Sequence, residues 1–144
     1  MQSPGVLAPM IALVAWSLVM WVWLYATRLP AMVRLRIPPS AGRLARSMNE
    51  RLPDGVRQVA DNYNHLMEQP TIFYAVGFAL LWLGQGAHPI NVGLAWTYVV
   101  LRVAHSLVQA TVNHVPTRFV VFVLSTLCLM ALTLHAGIGV MHAS

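Results

Sequence analysis

Two short stretches of the sequence place polar and ionisable side chains at helical spacing. In the first, Asp61, His65 and Glu68 stand at positions i, i+4 and i+7, with Asn64 beside them. Residues with this spacing share one face of a helix, so the stretch predicts a single polar stripe. Carboxylate, imidazole and amide groups on one face can bind a polar ligand through hydrogen bonds. The same groups can also form a helix face that simply meets water.

The second stretch carries Arg102, His105 and Gln109 at i, i+3 and i+7, within the apolar sequence LAWTYVVLRVAHSLVQA. An arginine that faces lipid is costly, so Arg102 is expected to face protein or a wet cavity. Because both stripes fall at the same end of neighbouring segments, we predict an ion pair between Glu68 and Arg102, joined by charge-assisted hydrogen bonds. Such a pair can shape a pocket, or it can only hold two helices together.

Arg118 opens the last apolar segment, directly after the turn residues Val115-Pro116-Thr117. One interpretation is an arginine whose charged end reaches the membrane surface. The other is a residue that stabilises an anion or a thiolate, since a helix amino terminus adds positive potential there. Such an environment lowers the pKa of a thiol and raises its thiolate fraction. Arg118 is therefore the candidate catalytic residue.

Metal and nucleotide chemistry has no comparable pattern in the sequence. The remaining histidines are scattered, no H-E-x-x-H spacing occurs, and no metal site is predicted. Phosphate-loop, dinucleotide and G-x-S-x-G motifs are absent as well. The single cysteine, Cys128, excludes an intrachain disulfide and is interpreted as a packing residue.

The elements that must position these residues are strongly hydrophobic. The chain has 144 residues, of which 58% are hydrophobic and 9% are charged, whereas a soluble domain carries about 25% charged residues. No Asp, Glu, Lys or Arg occurs between residues 69 and 101 or between 119 and 144. Uncharged apolar runs of about 18 residues or more are typical of membrane-spanning helices. The sequence therefore predicts an integral membrane protein in contact with a lipid bilayer.

Four spans are predicted, at about residues 8–27, 62–85, 90–112 and 117–140. Short connections make successive spans antiparallel neighbours, which predicts an all-α, up-down four-helix transmembrane bundle in a single membrane domain. The apolar part of the second span, residues 71–84, gives only about 21 Å of helix against a hydrocarbon core of about 30 Å. The span must therefore extend past Glu68, which puts that carboxylate below the membrane surface. Pro70 is expected to kink the helix there.

The arginines predict the orientation of the chain. All nine basic residues are arginine, and seven of them lie in residues 28–57, together with Glu50 and Asp54. The positive-inside rule places this loop in the cytoplasm and the amino terminus outside, in a membrane that we expect to be a bacterial inner membrane. The net charge of +5 could also indicate nucleic-acid binding, but the arginines lack interleaved aromatic residues. No nucleic-acid partner is expected.

These motifs together resemble those of the MAPEG family, the membrane-associated proteins of eicosanoid and glutathione metabolism, and its bacterial members in particular. The resemblance covers residues 57 to about 122 and rests on the four-span topology with NHLMEQP, LRVAHSLVQ and NHVPTR in that order. It implies a homotrimer with active sites between neighbouring subunits, open toward the cytoplasm. It also implies glutathione as the cofactor and a lipophilic small molecule as the second substrate.

The resemblance assigns roles to the residues already singled out. Arg118 matches an arginine that stabilises the glutathione thiolate, and Glu68 matches the glutamate of the second helix. Arg102 and His105 match an Arg-x-x-His motif of the third helix. The remaining positions expected to contact the cofactor are His65, Asn64 and Gln109.

Four positions depart from the family pattern. His65 stands where asparagine is usual, Asp61 stands where arginine is expected, and Gln109 and Phe122 replace tyrosines. Asp61 would repel the carboxylates of glutathione. Two functions are therefore kept open: a glutathione- or thiol-dependent transferase or peroxidase acting on lipophilic substrates, and a non-catalytic structural or accessory subunit that retains the fold. A transporter has less support, since the sequence contains no internal repeat.

Overall fold

The apolar segments of the sequence fold as helices in the computed structural model, which describes residues 4–38, 40 and 48–143. The helices are α1 (Leu7–Arg34), α2 (Asp54–Leu66), α3 (Gln69–Trp82), α4 (Pro89–Ala110) and α5 (Val115–Ala143). α2 and α3 together make the second member of an all-helical four-helix bundle, and the described residues contain no strand. The predicted fold class is confirmed. α1 and α5 are long and apolar enough to cross a membrane, with mean hydropathies of 2.0 and 2.2.

The second member of the bundle is broken because of Pro70. A proline inside a helix lacks an N–H donor and clashes with the carbonyl four residues earlier, whereas it fits the first turn of a helix. α2 accordingly ends at Leu66, a short turn follows, and α3 begins at Gln69 with Pro70 in its first turn. The hydroxyl of Thr71 donates to the carbonyl of Glu68 at 2.6 Å. The predicted kink is thus a complete break between two helices.

The main apolar core joins all four members of the bundle. Its side chains that are at most 1% exposed are Val6, Leu13, Phe73, Leu80, Ala95, Tyr98 and Leu132. The rings of Phe73 and Tyr98 stack with their centroids 4.5 Å apart, which adds a favourable aromatic contact to the burial of both side chains. A second apolar cluster joins α1, α2 and the end of α4 and consists of Met20, Leu24, Val59, Ala60, Leu66 and Ala110.

The amino-terminal end of α1 docks on the turn between α3 and α4. The Val6 amide donates to the Gly86 carbonyl at 2.8 Å. Gly5, just before it, has a φ of +54°, and a Cβ at this position would lie 2.3 Å from the Gly86 oxygen. Because only glycine combines a positive φ with this close backbone approach, Gly5 sets how α1 enters the bundle.

Candidate functional site

The polar stripe of α2 and the first turn of α5 face one cavity of about 350 Å³. Its lining residues are Asp61, Asn64, His65, Glu68, Gln109 and Arg118. They come from α2, the α2–α3 turn, the end of α4 and the start of α5. Five of the seven predicted site residues are therefore brought together here, while Arg102 and His105 do not line this cavity.

α2 presents its stripe to the cavity because its opposite face is buried. Val59, Asn62 and Leu66 are at most 2% exposed, whereas Asp61 is exposed. The amide of Asn62 donates to the Ser106 hydroxyl of α4 at 2.6 Å, so a buried hydrogen bond fixes α2 against α4. Sequence reasoning missed this contact, because an amide at an apolar position of α2 shows no partner until the two helices are packed.

Arg118 lies in the first turn of α5 and is half-buried. Its Nη1 donates to Oδ1 of Asn113 at 2.8 Å. Asn113 has a φ of +47°, a left-handed conformation that asparagine tolerates better than most residues. Arg118 forms no ion pair within residues 4–38, 40 and 48–143. Its guanidinium is thus held at the cavity by a neutral amide, and its charge remains free to attract an anion.

The predicted ion pair between Glu68 and Arg102 is wrong for this structure. Arg102 is fully buried, as predicted, but its Nη2 donates to the backbone carbonyl of His65 at 3.1 Å. The Glu68 side chain is 69% exposed, and its Oε2 lies 3.1 Å from Nδ1 of His65. The break after α2 explains the difference. The end of a helix leaves carbonyls without their regular intrahelical donors. The His65 carbonyl accepts a long bond of 3.4 Å from the Glu68 amide, and the guanidinium binds this carbonyl instead of the carboxylate.

Buried polar groups beside the cavity retain unused hydrogen-bonding capacity. In the described part of the chain, Nε and Nη1 of Arg102, Oδ1 of Asn62 and Oε1 of Gln109 have no hydrogen-bond partner. The Arg102 guanidinium lies 5.7 Å from the centre of the Phe122 ring, a distance at which a cation–π attraction operates. An unpaired buried polar group costs free energy. Of these atoms, the Gln109 oxygen belongs to a residue that lines the cavity, so it marks a place where a bound molecule can add a hydrogen bond.

A second, smaller cavity of about 190 Å³ shares His65 and Arg118 with the first. Its other lining residues are His105, Val115, Phe119 and Phe122. The ring of His65 lies 5.0 Å from that of His105 and 5.3 Å from that of Phe122, measured between centroids. His65 and Arg118 therefore stand between a polar cavity and a largely aromatic one.

A third cavity, of about 800 Å³, is an apolar groove along α3 and α5. Ile72, Leu129, Leu134 and Met141 are among the side chains that line it. Its polar end lies at Gln69, whose Nε2 donates to the Thr126 hydroxyl at 2.9 Å. Gln69 lines the groove and Glu68, the residue before it in the sequence, lines the polar cavity.

No cluster of three or more histidine, cysteine, aspartate or glutamate residues suited to a metal ion occurs where the structure is described. The candidate site is therefore built from hydrogen-bonding side chains and one guanidinium.

An apolar helical bundle with a polar cavity between α2, α4 and α5 defines the class of protein, which is a helical membrane protein. The chain belongs to the MAPEG family, whose family model matches residues 6–138. The match extends the sequence resemblance to α1 and to most of α5. Neither the curated proteins nor the solved structures include a match to this chain.

Proposed function

We propose that the protein is a thiol-dependent transferase or peroxidase that acts on lipophilic substrates. The observation that carries this proposal is the position of Arg118. Its guanidinium has no carboxylate partner among the described residues and faces the α2 stripe across the 350 Å³ cavity. A positive charge in that position favours the thiolate form of a thiol bound against it, since an opposite charge lowers the thiol's pKa.

The α2 stripe supplies the groups that would hold the rest of the thiol compound. Asn64 and Gln109 offer amide donors and acceptors, and Glu68 and His65 offer a carboxylate and an imidazole. Glutathione is the thiol that the family resemblance implies. Arg102 and His105 do not line the polar cavity but support residues that do. Arg102 holds the end of α2 in place, and His105 packs against His65 at the wall of the aromatic cavity.

The aromatic cavity and the apolar groove offer room for a lipophilic second substrate. In a transferase reaction the thiolate sulfur attacks an electrophilic carbon, and a carbon–sulfur bond forms while the leaving group departs with the electron pair. In a peroxidase reaction the sulfur attacks a peroxide oxygen, the O–O bond breaks, and the alcohol leaves. A second thiol then reduces the oxidised sulfur with release of water. Water exclusion on the aromatic side would strengthen the interaction between Arg118 and the thiolate.

The proposed assembly is a homotrimer in a bacterial inner membrane, with four spans, the amino terminus outside and the arginine-rich loop in the cytoplasm. Large apolar side chains at the surface of the single chain support contact with lipid or with neighbouring subunits, since Trp82 is 92% exposed and Phe119 is 65% exposed. Exposed apolar surface of this kind requires lipid or a protein partner.

A thiol titration tests the proposal. Glutathione added near neutral pH to the detergent-solubilised protein is expected to give the ultraviolet absorbance of a thiolate. Arg118→Ala is expected to weaken that signal at least about tenfold, because the stabilising charge is lost. Arg51→Ala, which removes an exposed arginine of the loop, is the matched control and should leave the signal unchanged. Absence of both thiolate absorbance and a thiol-dependent rise in melting temperature would contradict the proposal.

The alternative is a non-catalytic structural or accessory subunit. The observation that favours it is Arg102, whose guanidinium binds the carbonyl at the end of α2 and does not line the cavity. A residue in this position stabilises the bundle whether or not a thiol binds. Under this alternative, Arg118→Ala and Arg51→Ala would behave alike in the titration.

A further inference from the structure

The polar cavity holds more negative than positive charge. Asp61 and Glu68 contribute two carboxylates, and Arg118 is the one cation among its lining residues, which leaves a formal charge of −1 with His65 neutral. Asp61 has no hydrogen-bond or ion-pair partner within the described ranges, and the carboxylate of Glu68 contacts only His65 there. The cavity therefore presents free carboxylate oxygens to whatever occupies it.

Gln109 adds an independent observation that points to a ligand. Its side chain lines the cavity and is only 7% exposed, and its Oε1 has no hydrogen-bond partner among the described residues. A buried acceptor that lacks a donor is costly. A molecule that brings an N–H group into the cavity would remove that cost, and an N–H carried by a cation would do so most strongly.

The neighbouring arginines do not offset this acceptor-rich character. Arg102 is buried behind α2 and is bound to the His65 carbonyl. Arg57 lies one helical turn before Asp61 and lines another cavity with it, but its charge is paired with that of Asp54. Neither arginine lines the polar cavity. The lining thus attracts a thiolate at Arg118 and an ammonium group at the carboxylates.

Building on the proposed function, we infer that the preferred thiol co-substrate carries an ammonium group and no free carboxylate. Its sulfur binds at Arg118, and its ammonium group binds at Asp61 and the Gln109 oxygen. Glutathione carries two carboxylates, and like charges at Asp61 and Glu68 act against a ligand of that kind. Asp61 is then the residue that selects among thiols.

Three probes with one skeleton test this inference: glutathione, glutathione diethyl ester, and the N-acetylated diethyl ester. The diethyl ester lacks the two free carboxylates of glutathione, and the N-acetylated diethyl ester lacks the ammonium group as well. Kd values would be measured by isothermal titration calorimetry on the detergent-solubilised protein. The diethyl ester is expected to bind at least about tenfold more tightly than glutathione, and N-acetylation should weaken binding about five- to tenfold.

Asp61→Asn keeps the shape of the side chain and removes its charge. In this variant the diethyl ester should bind about five- to tenfold more weakly, glutathione should bind more tightly, and the N-acetylated ester should be unchanged. Glu50→Gln, which removes the charge of an exposed carboxylate outside the cavity, is the matched control and should leave all three affinities as they are. Equal or tighter binding of glutathione than of its diethyl ester overturns the inference, as does an Asp61→Asn variant with unchanged affinities. If none of the three probes binds, the proposed function fails as well.

Discussion

At the scale of single residues, the site separates a buried guanidinium from two exposed carboxylates. Arg102 is fully buried and binds a backbone carbonyl, whereas Asp61 and Glu68 lie at the edge of the cavity. The spacing of polar residues predicted which of them share a face, because helical periodicity is a local property. It could not predict the partner of Arg102. That partner depends on how α2 ends, and a broken helix offers the guanidinium a carbonyl that a continuous helix would have used itself.

Substitutions at these three residues should therefore affect stability unequally. Glu68→Gln and Asp61→Asn are each expected to change the free energy of unfolding by no more than about 0.5 kcal/mol, since both side chains are exposed. Arg102→Ala should cost about 2 kcal/mol or more, because it removes the buried side-chain donor to the His65 carbonyl and leaves a cavity. Thermal unfolding of the detergent-solubilised protein, followed by circular dichroism, measures these differences. Arg102→Met keeps most of the side-chain volume. Its unfolding free energy therefore shows how much of the loss comes from the missing hydrogen bond to the His65 carbonyl and how much from the empty space left by alanine.

A Glu68→Gln variant as unstable as Arg102→Ala would contradict this prediction. It would mean that the carboxylate and the guanidinium are coupled in the protein in solution.

At the scale of helices, most elements could be predicted from the sequence because hydrophobic periodicity and proline positions act locally. α2 begins at Asp54, directly after Pro53, and Pro70 breaks the second bundle helix because its missing N–H acts on its own turn. The buried hydrogen bond between Asn62 and Ser106 could not be predicted from the sequence. Neither residue differs from its neighbours in any periodic way, and their meeting depends on the rotation of two packed helices. The polar cavity also depends on how the helices pack against each other. The sequence predicted five of its lining residues but not the cavity itself.

Three glycines allow the docking of α1 to be tested with one kind of substitution. Gly5→Ala should be the most destabilising, because it combines a positive φ with a Cβ only 2.3 Å from the Gly86 oxygen. Gly84→Ala meets open space at a φ of +70°, so it should cost about 1–2 kcal/mol through the backbone alone. Gly93→Ala, in the interior of α4 with open space around it, should stabilise the protein by about 0.5–1 kcal/mol.

The same unfolding measurement ranks the three alanine variants. Equal losses at Gly5 and Gly84 would show that the contact between Val6 and the α3–α4 turn does not hold α1 in place.

At the scale of the whole molecule, composition and hydropathy predicted the architecture. Long uncharged runs predict helices that leave water, and the described chain is an apolar helical bundle with many large side chains at its surface. The orientation of the bundle in a membrane depends on the seven arginines of residues 28–57. Charge distribution predicts sidedness without reference to the fold, so it needs its own test.

Single cysteines test the orientation, in a Cys128→Ser background that removes the native thiol. His88→Cys lies in the exposed turn before α4, and Arg51→Cys lies in the exposed part of the arginine-rich segment. A membrane-impermeant maleimide added to intact cells should label the first variant and leave the second unlabelled. Inverted membrane vesicles should give the opposite pattern. Labelling of Arg51→Cys in intact cells would contradict the predicted orientation.

The break at Pro70 has a consequence for the surrounding lipid. α1 contains 28 residues and α3 contains 14, which correspond to about 42 Å and about 21 Å of helix. α3 alone is thus shorter than a typical hydrocarbon layer of about 30 Å, and the second member of the bundle reaches that length only with residues of α2. The turn that carries Glu68 therefore falls within the length of helix that is needed to cross such a layer. A host membrane with shorter or longer acyl chains is expected to change how deeply this turn is immersed, at a modest free-energy cost that grows with the mismatch.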